Sequence, residues 1–206
     1  MISEKKGAIL ILSGPSGCGK STLLKEVYKE IDDYYFSIST TTRAPRVGEQ
    51  NGVDYFFVSK EEFEEDIKND GFLEYAKVHD NYYGTSLKPI MKALKEGKLV
   101  IFDIDVQGHE IVRKKLDSIV TSVFITTPNL NILKDRLTSR DTDSSEIIEK
   151  RIKNAKTEVE YFDTYDYLII NDNLELAAKQ LVSIANITRI KAKLFDKEKI
   201  VSNWLN

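Results

Sequence analysis

Four short apolar runs punctuate a chain of otherwise mixed character, at residues 8–12, 99–104, 119–125 and 167–170. Each is too short for a buried helix and has little apolar–polar alternation, the pattern of strands covered on both faces. Helical spacing fills the intervals. Leu23, Leu24, Val27 and Ile31 recur after the first run, 88–96 closes on Gly97, 106–116 follows the second run, 130–138 follows the third, and apolar residues at helical spacing fill 174–194. Strands alternating with helices predict an α/β fold, a parallel sheet with helices on both faces. Ligands of such sheets sit beyond the carboxyl ends of the strands.

Two segments break the rhythm. Residues 37–85 contain aromatic or alternating stretches at 55–58 and 72–75, a helix start with Ser59 and Glu62 in capping-box spacing, and many polar side chains. This predicts an inserted small subdomain. Residues 139–157 combine a polar, acidic stretch with a charged helical pattern and lie near Arg136, Arg140 and Arg151, as expected of a movable lid. The organisation predicted is one domain, with a core of 1–36, 86–138 and 158–206, a substrate-binding subdomain of 37–85 and a lid of 139–157.

Composition narrows the class. The 206 residues with 41% hydrophobic content can fill one core, and 30 basic against 33 acidic residues argue against a protein that coats nucleic acid. One cysteine, Cys18, excludes an intrachain disulfide, and with only His79 and His109 a histidine-based metal site is not expected. No apolar run approaches the roughly 20 residues of a membrane span, and residues 1–7 lack the apolar stretch of a signal peptide. A soluble, cytoplasmic protein without membrane or nucleic-acid partners is expected.

The chemistry enters directly after the first strand. Gly14, Pro15, Ser16, Gly17, Cys18, Gly19, Lys20, Ser21 and Thr22 fit the phosphate-loop pattern G-x-x-x-x-G-K-[ST]. Successive backbone N–H groups of such a loop surround a polyphosphate, and the following helix aims its positive end at it. Lys20 is placed to reach the β- and γ-phosphates, and the Ser21 hydroxyl to bind magnesium. Cys18 occupies an unconstrained position of the pattern.

A second anion site is read in the irregular stretch from Ser39 to Tyr55, where Arg43 and Arg46 offer guanidinium forks matched to phosphate oxygens and Ser39 and Tyr55 add neutral donors. Downstream, Glu74 is a candidate reader of guanine, because one carboxylate accepts from N1–H and N2–H₂ together while adenine presents a bare acceptor at N1. Thr85 can donate to guanine O6, and Tyr83 can hold a phosphate or pack beside the ligand. The strand at 99–104 ends in Asp103, placed like the acid that orients magnesium in phosphate-loop enzymes, followed by Asp105 two residues on. Asp105 and Gly108 also satisfy the short D-x-x-G pattern of GTPases, but the N-K-x-D guanine motif is absent, so strand-end acids and a turn glycine are the better reading. His109 reads as a helix-surface residue, and the basic segment 189–193 as the solvated face of the last helix.

Together these segments resemble the guanylate kinase family through nearly the whole chain, most specifically in S-x-T-T-R-x-P-R-x-G-E-x-N-G-x-D-Y at 39–55. The resemblance implies transfer of the γ-phosphoryl group of ATP to GMP, and to dGMP, and the Mg²⁺ read above at Ser21 and Asp103 would accompany ATP. It implies that Ser39, Arg43, Arg46, Tyr55 and Tyr83 hold the GMP phosphate and that Glu74, Thr85 and Asp105 read guanine. Lys20, Arg43, Arg136, Arg140 and Arg151 would surround the transferring group, with the phosphate loop on ATP and Asn171 near adenine. The chain departs from the family in Asp141, where glycine is frequent, and in His109, where an apolar residue is usual; Thr85 keeps the hydroxyl of the serine also common there. The alternatives are a kinase for another phosphorylated substrate and a non-catalytic guanylate-kinase-like interaction module; the intact Lys20 and Ser21 argue against the module.

Overall fold

The computed structural model describes residues 5–78, 80–139 and 144–205. Arg140, Asp141 and His79 lie outside them. The chain opens with strand β1 (Ala8–Ser13), whose six residues are all buried. It continues through α1 (Lys20–Glu30), β2 (Tyr34–Phe36), β3 (Thr40–Thr41), β4 (Phe56–Phe57), α2 (Lys60–Lys68), β5 (Phe72–Val78) and β6 (Asn81–Ser86). There follow α3 (Leu87–Lys95), β7 (Leu99–Asp103), α4 (Val106–Leu116), β8 (Val120–Thr126), α5 (Leu130–Thr138), α6 (Ser145–Glu158), β9 (Tyr167–Ile170), α7 (Leu174–Thr188) and α8 (Lys197–Leu205).

The core sheet is parallel throughout, in the order β2-β7-β1-β8-β9. The alternation of β1 serves both faces. Leu10 and Leu12 join Leu23 and Val27 of α1 and Leu181 of α7 in one apolar cluster, whereas Ile9 and Ile11 meet Ile90 of α3 and Val112 of α4 in the other. Full burial of one such aliphatic side chain contributes about 1.5–3 kcal/mol, so this strand anchors the residues that follow it. Its central place sets Ser13 beside the ends of β7 and β8, where the phosphate loop begins.

A second sheet, in the order β4-β3-β6-β5, is built from residues 40–86. Helix α2 packs on it through the fully buried Phe63, stacked 4.2 Å from Phe72 and 5.1 Å from Tyr82. The capping box that opens α2 forms in both directions: Glu62 N–H donates to Ser59 Oγ at 3.1 Å and Ser59 N–H to Glu62 Oε2 at 2.8 Å.

Four differences from the sequence reading have physical causes. The core sheet has a fifth strand, β2, with three half-buried residues that are too few for a readable period. The last predicted helix ends at Thr188 and gives way to a short 3₁₀ turn, Ala192–Leu194, before the separate helix α8. The basic segment 189–193 is therefore not a solvated helix face: Arg189 donates to Asp32 O at 2.9 Å and Lys191 Nζ to Val120 O, with burial pushing the Lys191 pKa down. His109 is buried, at 4% exposure, rather than on a helix surface.

Candidate active site

The phosphate loop takes its shape from two close approaches that exclude a side chain. Gly14, at φ 137°, would place a Cβ 1.9 Å from Ile125 O, and Gly19, at φ 100°, would place one 2.3 Å from the Asn171 amide nitrogen. Only glycine tolerates both the conformation and the contact. Behind the loop Asn171, 4% exposed, donates from Nδ2 to Cys18 O at 2.8 Å. Arg136 reaches the same carbonyl at 3.3 Å and Asn171 O at 2.9 Å. Both side chains thus brace the loop from behind. Arg151 of α6 reaches it in front, donating to Ser16 Oγ at 3.1 Å.

Lys20, the first residue of α1, rests with Nζ 2.7 Å from Gly14 O and 3.8 Å from Asp103 Oδ1 at the end of β7. Burial pushes the Asp103 carboxyl pKa up, and Lys20 opposes the shift. A carboxylate so placed is complemented by added positive charge, and Asp103 with the exposed Ser21 hydroxyl makes an oxygen-only donor pair of the kind magnesium accepts alongside phosphate oxygens. Among the described residues no group of three or more His, Cys, Asp or Glu could hold a metal by itself. Cys18 is 1% exposed within the core, and burial raises its thiol pKa above the ordinary value although α1 begins beside it.

The second sheet assembles the other half. Arg43 donates from Nη2 to both Glu49 oxygens, at 2.8 and 2.9 Å, and its guanidinium lies 5.5 Å over the Tyr55 ring and 5.7 Å over Phe57. Glu49 also accepts from Arg46 N–H at 2.7 Å, which folds the loop between the two arginines. The Arg43 hydrogen bond is the main reason the Glu49 carboxyl sits below its usual pKa, with the Arg46 N–H next. The Arg46 side chain is exposed. Tyr55 and Tyr83 pack edge to face at 6.1 Å, and the half-buried Ser39 lies at the start of this segment, its carbonyl accepting from Phe56 N–H at 2.9 Å. Across the β5–β6 pair, Glu74 faces Thr85, whose hydroxyl donates to Glu74 Oε1 at 2.6 Å. An acceptor pair and a hydroxyl thus stand side by side.

Asp105 caps α4, accepting from Gly108 N–H at 2.8 Å through Oδ1. It lines a cleft of about 760 Å³ with His109 of α4 and Glu158 of α6. Burial first, and Asp105 next, push the Glu158 pKa up, with Lys20 opposing. Glu49 and Glu158 are functional candidates without an assigned role in the sequence reading. The signal for Glu49 was its place in the arginine-rich stretch; Glu158 had none, because its neighbours are distant in sequence.

A phosphate loop at the carboxyl end of a parallel sheet, joined to a small sheet that carries an arginine-rich loop and a carboxylate–hydroxyl pair, is the arrangement of a phosphate-loop nucleotide kinase. The guanylate kinase family model matches residues 6–187. The chain is 56% identical over 203 residues to the guanylate kinase of Sulfurimonas denitrificans, covering 98% of each, and 54% identical over 198 residues to that of Helicobacter pylori, covering 96% of each. The crystal structure of guanylate kinase from Anaplasma phagocytophilum aligns with a TM-score of 0.69 at 31% identity, over 94% of this chain and 92% of that one. The chain belongs to the guanylate kinase family.

Proposed function

We propose that the two halves of this site divide the work of ATP:GMP phosphotransfer, the phosphate loop taking ATP and the second sheet taking GMP. The reaction moves the γ-phosphoryl group of ATP to the GMP phosphate, giving ADP and GDP. The observation that carries the assignment is the Glu74–Thr85 pair, 2.6 Å apart on adjacent strands. The carboxylate complements the N1–H and N2–H₂ donors of guanine and mismatches adenine, and the Thr85 hydroxyl serves O6 once it exchanges its bond to Glu74. Asp105 Oδ1 is engaged by the helix cap, which leaves its other oxygen to accept from the base. Arg43, Arg46, Tyr55, Tyr83 and Ser39 hold the GMP phosphate, with Glu49 fixing Arg43 before the nucleotide arrives.

Transfer sets two anionic phosphates in line, and unit like charges about 4 Å apart repel by roughly 4 kcal/mol at an effective dielectric near 20. Lys20 offsets this repulsion by moving from Gly14 O to the β- and γ-phosphates. Arg43 and Arg151 add charge from the acceptor and lid sides, and Arg140 belongs to the same reading. Arg136 and Asn171 are engaged with the loop, so their part is to shape it; direct contact with the phosphoryl group or adenine requires exchanging those bonds. Ser21 and Asp103 would hold the magnesium that accompanies ATP, whose bound charge would neutralise the phosphates. The rest is positioning, and no protein nucleophile is needed.

In this reading residues 37–85 form the GMP subdomain and 139–157 the lid, whose closure excludes water. The setting is the cytoplasm, where both nucleotides are supplied. A coupled assay offering ATP with GMP, dGMP, AMP, UMP or CMP tests the assignment. GMP and dGMP should far outrank the others, and comparable turnover of AMP would overturn it.

A further inference from the structure

We propose that His109 is a positioning residue for the acceptor nucleotide, whose ring, stacked on Tyr165, fixes the first turn of α4 and with it the Asp105 carboxylate. The inference rests on the reading of Asp105 as a guanine contact. Along α4, Asp105 and Gln107 are exposed and Val106 and Gly108 half-buried, so His109 is the first buried side chain and Val112 the next. The turn is closed by its own hydrogen bonds, His109 N–H to Asp105 O at 3.0 Å and Gly108 N–H to Asp105 Oδ1 at 2.8 Å, and is entered from Ile104, whose N–H donates to Leu12 O at 3.1 Å. Ile104 holds the entry to the turn and the imidazole anchors the turn itself, as its first buried side chain.

That ring stacks on Tyr165 with centroids 3.9 Å apart and planes 18° from parallel. Tyr165 in turn packs edge-on against Phe124 of β8 at 5.2 Å, and its phenol adjoins the Ser13 hydroxyl, one residue before Gly14. The stack thus spans from the guanine-side helix to the strand that supports the phosphate loop. Neither His109 Nε2, Tyr165 OH nor Ser13 Oγ has a well-formed hydrogen bond among the described residues. The imidazole fits this place as a neutral ring.

Taking up a proton would put a cation desolvated by burial into the stack, with Nε2 still lacking a partner among the described residues. Burial is the first cause that lowers the His109 pKa, Arg113 the second, while Asp166 and Glu110 oppose. Asp166 is engaged by Arg113 in a two-pronged pair at 2.6 and 2.9 Å. Asp105 and Glu158 act on the Tyr165 face of the stack. The folded pKa is depressed, so the native form resists a proton that the unfolded chain accepts near pH 6.5. Stability is whole above that value and falls as pH drops toward the folded pKa. The cleft of about 760 Å³ that His109 lines gives water a route to the charged ring, at the expense of the stack and of Asp105's position.

The test compares the parent with His109→Phe, which keeps a stacking ring but takes up no proton, with His109→Ala, which removes the ring, and with Asp105→Asn. KM for GMP, KM for ATP and kcat are measured at about pH 7.5 and about pH 5.5. At the higher pH, His109→Phe should stay within about two-fold of the parent, and His109→Ala should raise KM for GMP about five- to ten-fold with KM for ATP unchanged. On acidification KM for GMP should rise at least about three-fold more in the parent than in His109→Phe, a comparison in which the titration of GMP itself cancels. An identical pH response in His109→Phe, or equal changes in both KM values in His109→Ala, would overturn the proposal. If His109→Ala does not fold, His109→Phe decides alone. An unchanged KM for GMP in Asp105→Asn overturns the guanine reading of Asp105 and the positioning role with it, whereas a raised KM in Asp105→Asn beside unaffected His109 variants overturns the positioning role only.

Discussion

Replacing Glu74 with glutamine isolates the guanine-reading chemistry with little disturbance of the fold. The side chain keeps its length, and its remaining carbonyl oxygen can still accept the Thr85 hydroxyl that now donates to Glu74 Oε1 at 2.6 Å. Strand pairing at Glu74 and Thr85 is a backbone matter and should persist, so the thermal midpoint should move little. What changes is the edge offered to the base. One of two acceptors becomes an N–H₂ group facing a guanine N–H, which removes a charge-assisted bond of about 1.5–3 kcal/mol and leaves two donors opposed. At about 1.4 kcal/mol per factor of ten, kcat/KM for GMP should fall about 10- to 150-fold. Adenine presents an acceptor at N1, which the new amide can meet, so AMP should gain slightly and the GMP/AMP ratio should narrow from both ends. A coupled assay with each monophosphate, beside a titration of ATP affinity, reads this directly. A GMP/AMP ratio within about two-fold of the parent's would show that Glu74 is a strand charge and that guanine is read elsewhere.

Lys20→Ala should cut kcat by about 10²–10³ while GMP affinity, measured by calorimetry, stays near the parent value, because the lost interaction is made at the transferring phosphoryl group; near-normal turnover would remove the phosphate loop from the chemistry. Glu49→Gln should weaken GMP binding about ten-fold without altering ATP affinity, since the guanidinium of Arg43 loses the carboxylate that holds it before binding; unchanged GMP affinity would mean that Arg43 needs no such preparation. The Cys18 thiol should react with a thiol reagent at least about 10²-fold more slowly in the native protein than in denaturant, given its burial and raised pKa; comparable rates would show that the loop opens readily.

The parts of the candidate site that were legible in the sequence are those whose residues lie within one short segment. The phosphate loop is such a case: its glycines, Lys20 and Ser21 lie within nine consecutive residues, and the strand before them reads as buried because all its side chains are. The arginine stretch is another, since Arg43, Arg46 and Glu49 meet within one loop. Features that depend on separate segments were hidden. Nothing local indicates that Asn171 and Arg136 meet at Cys18 O, or that Glu158 shares a cleft with Asp105.

His109 shows the limit most clearly, because its misreading follows from a sound rule. On a helix bearing Glu110, Arg113, Lys114 and Lys115, an ionisable ring is by default assigned to the wet face. The face of α4 is decided instead by Tyr165, 56 residues on in the chain, which supplies an aromatic plane 3.9 Å away. Imidazole is flat and carries no charge above its pKa, so it can take the place of an apolar side chain in such a stack where lysine or arginine could not. The same substitution gives the helix an anchor that acid can loosen. A ring that packs like an apolar residue but titrates like a base leaves its packing role invisible to a hydropathy pattern, and with Asp105 proposed as a guanine contact, its place beside that cap would tie GMP binding to pH.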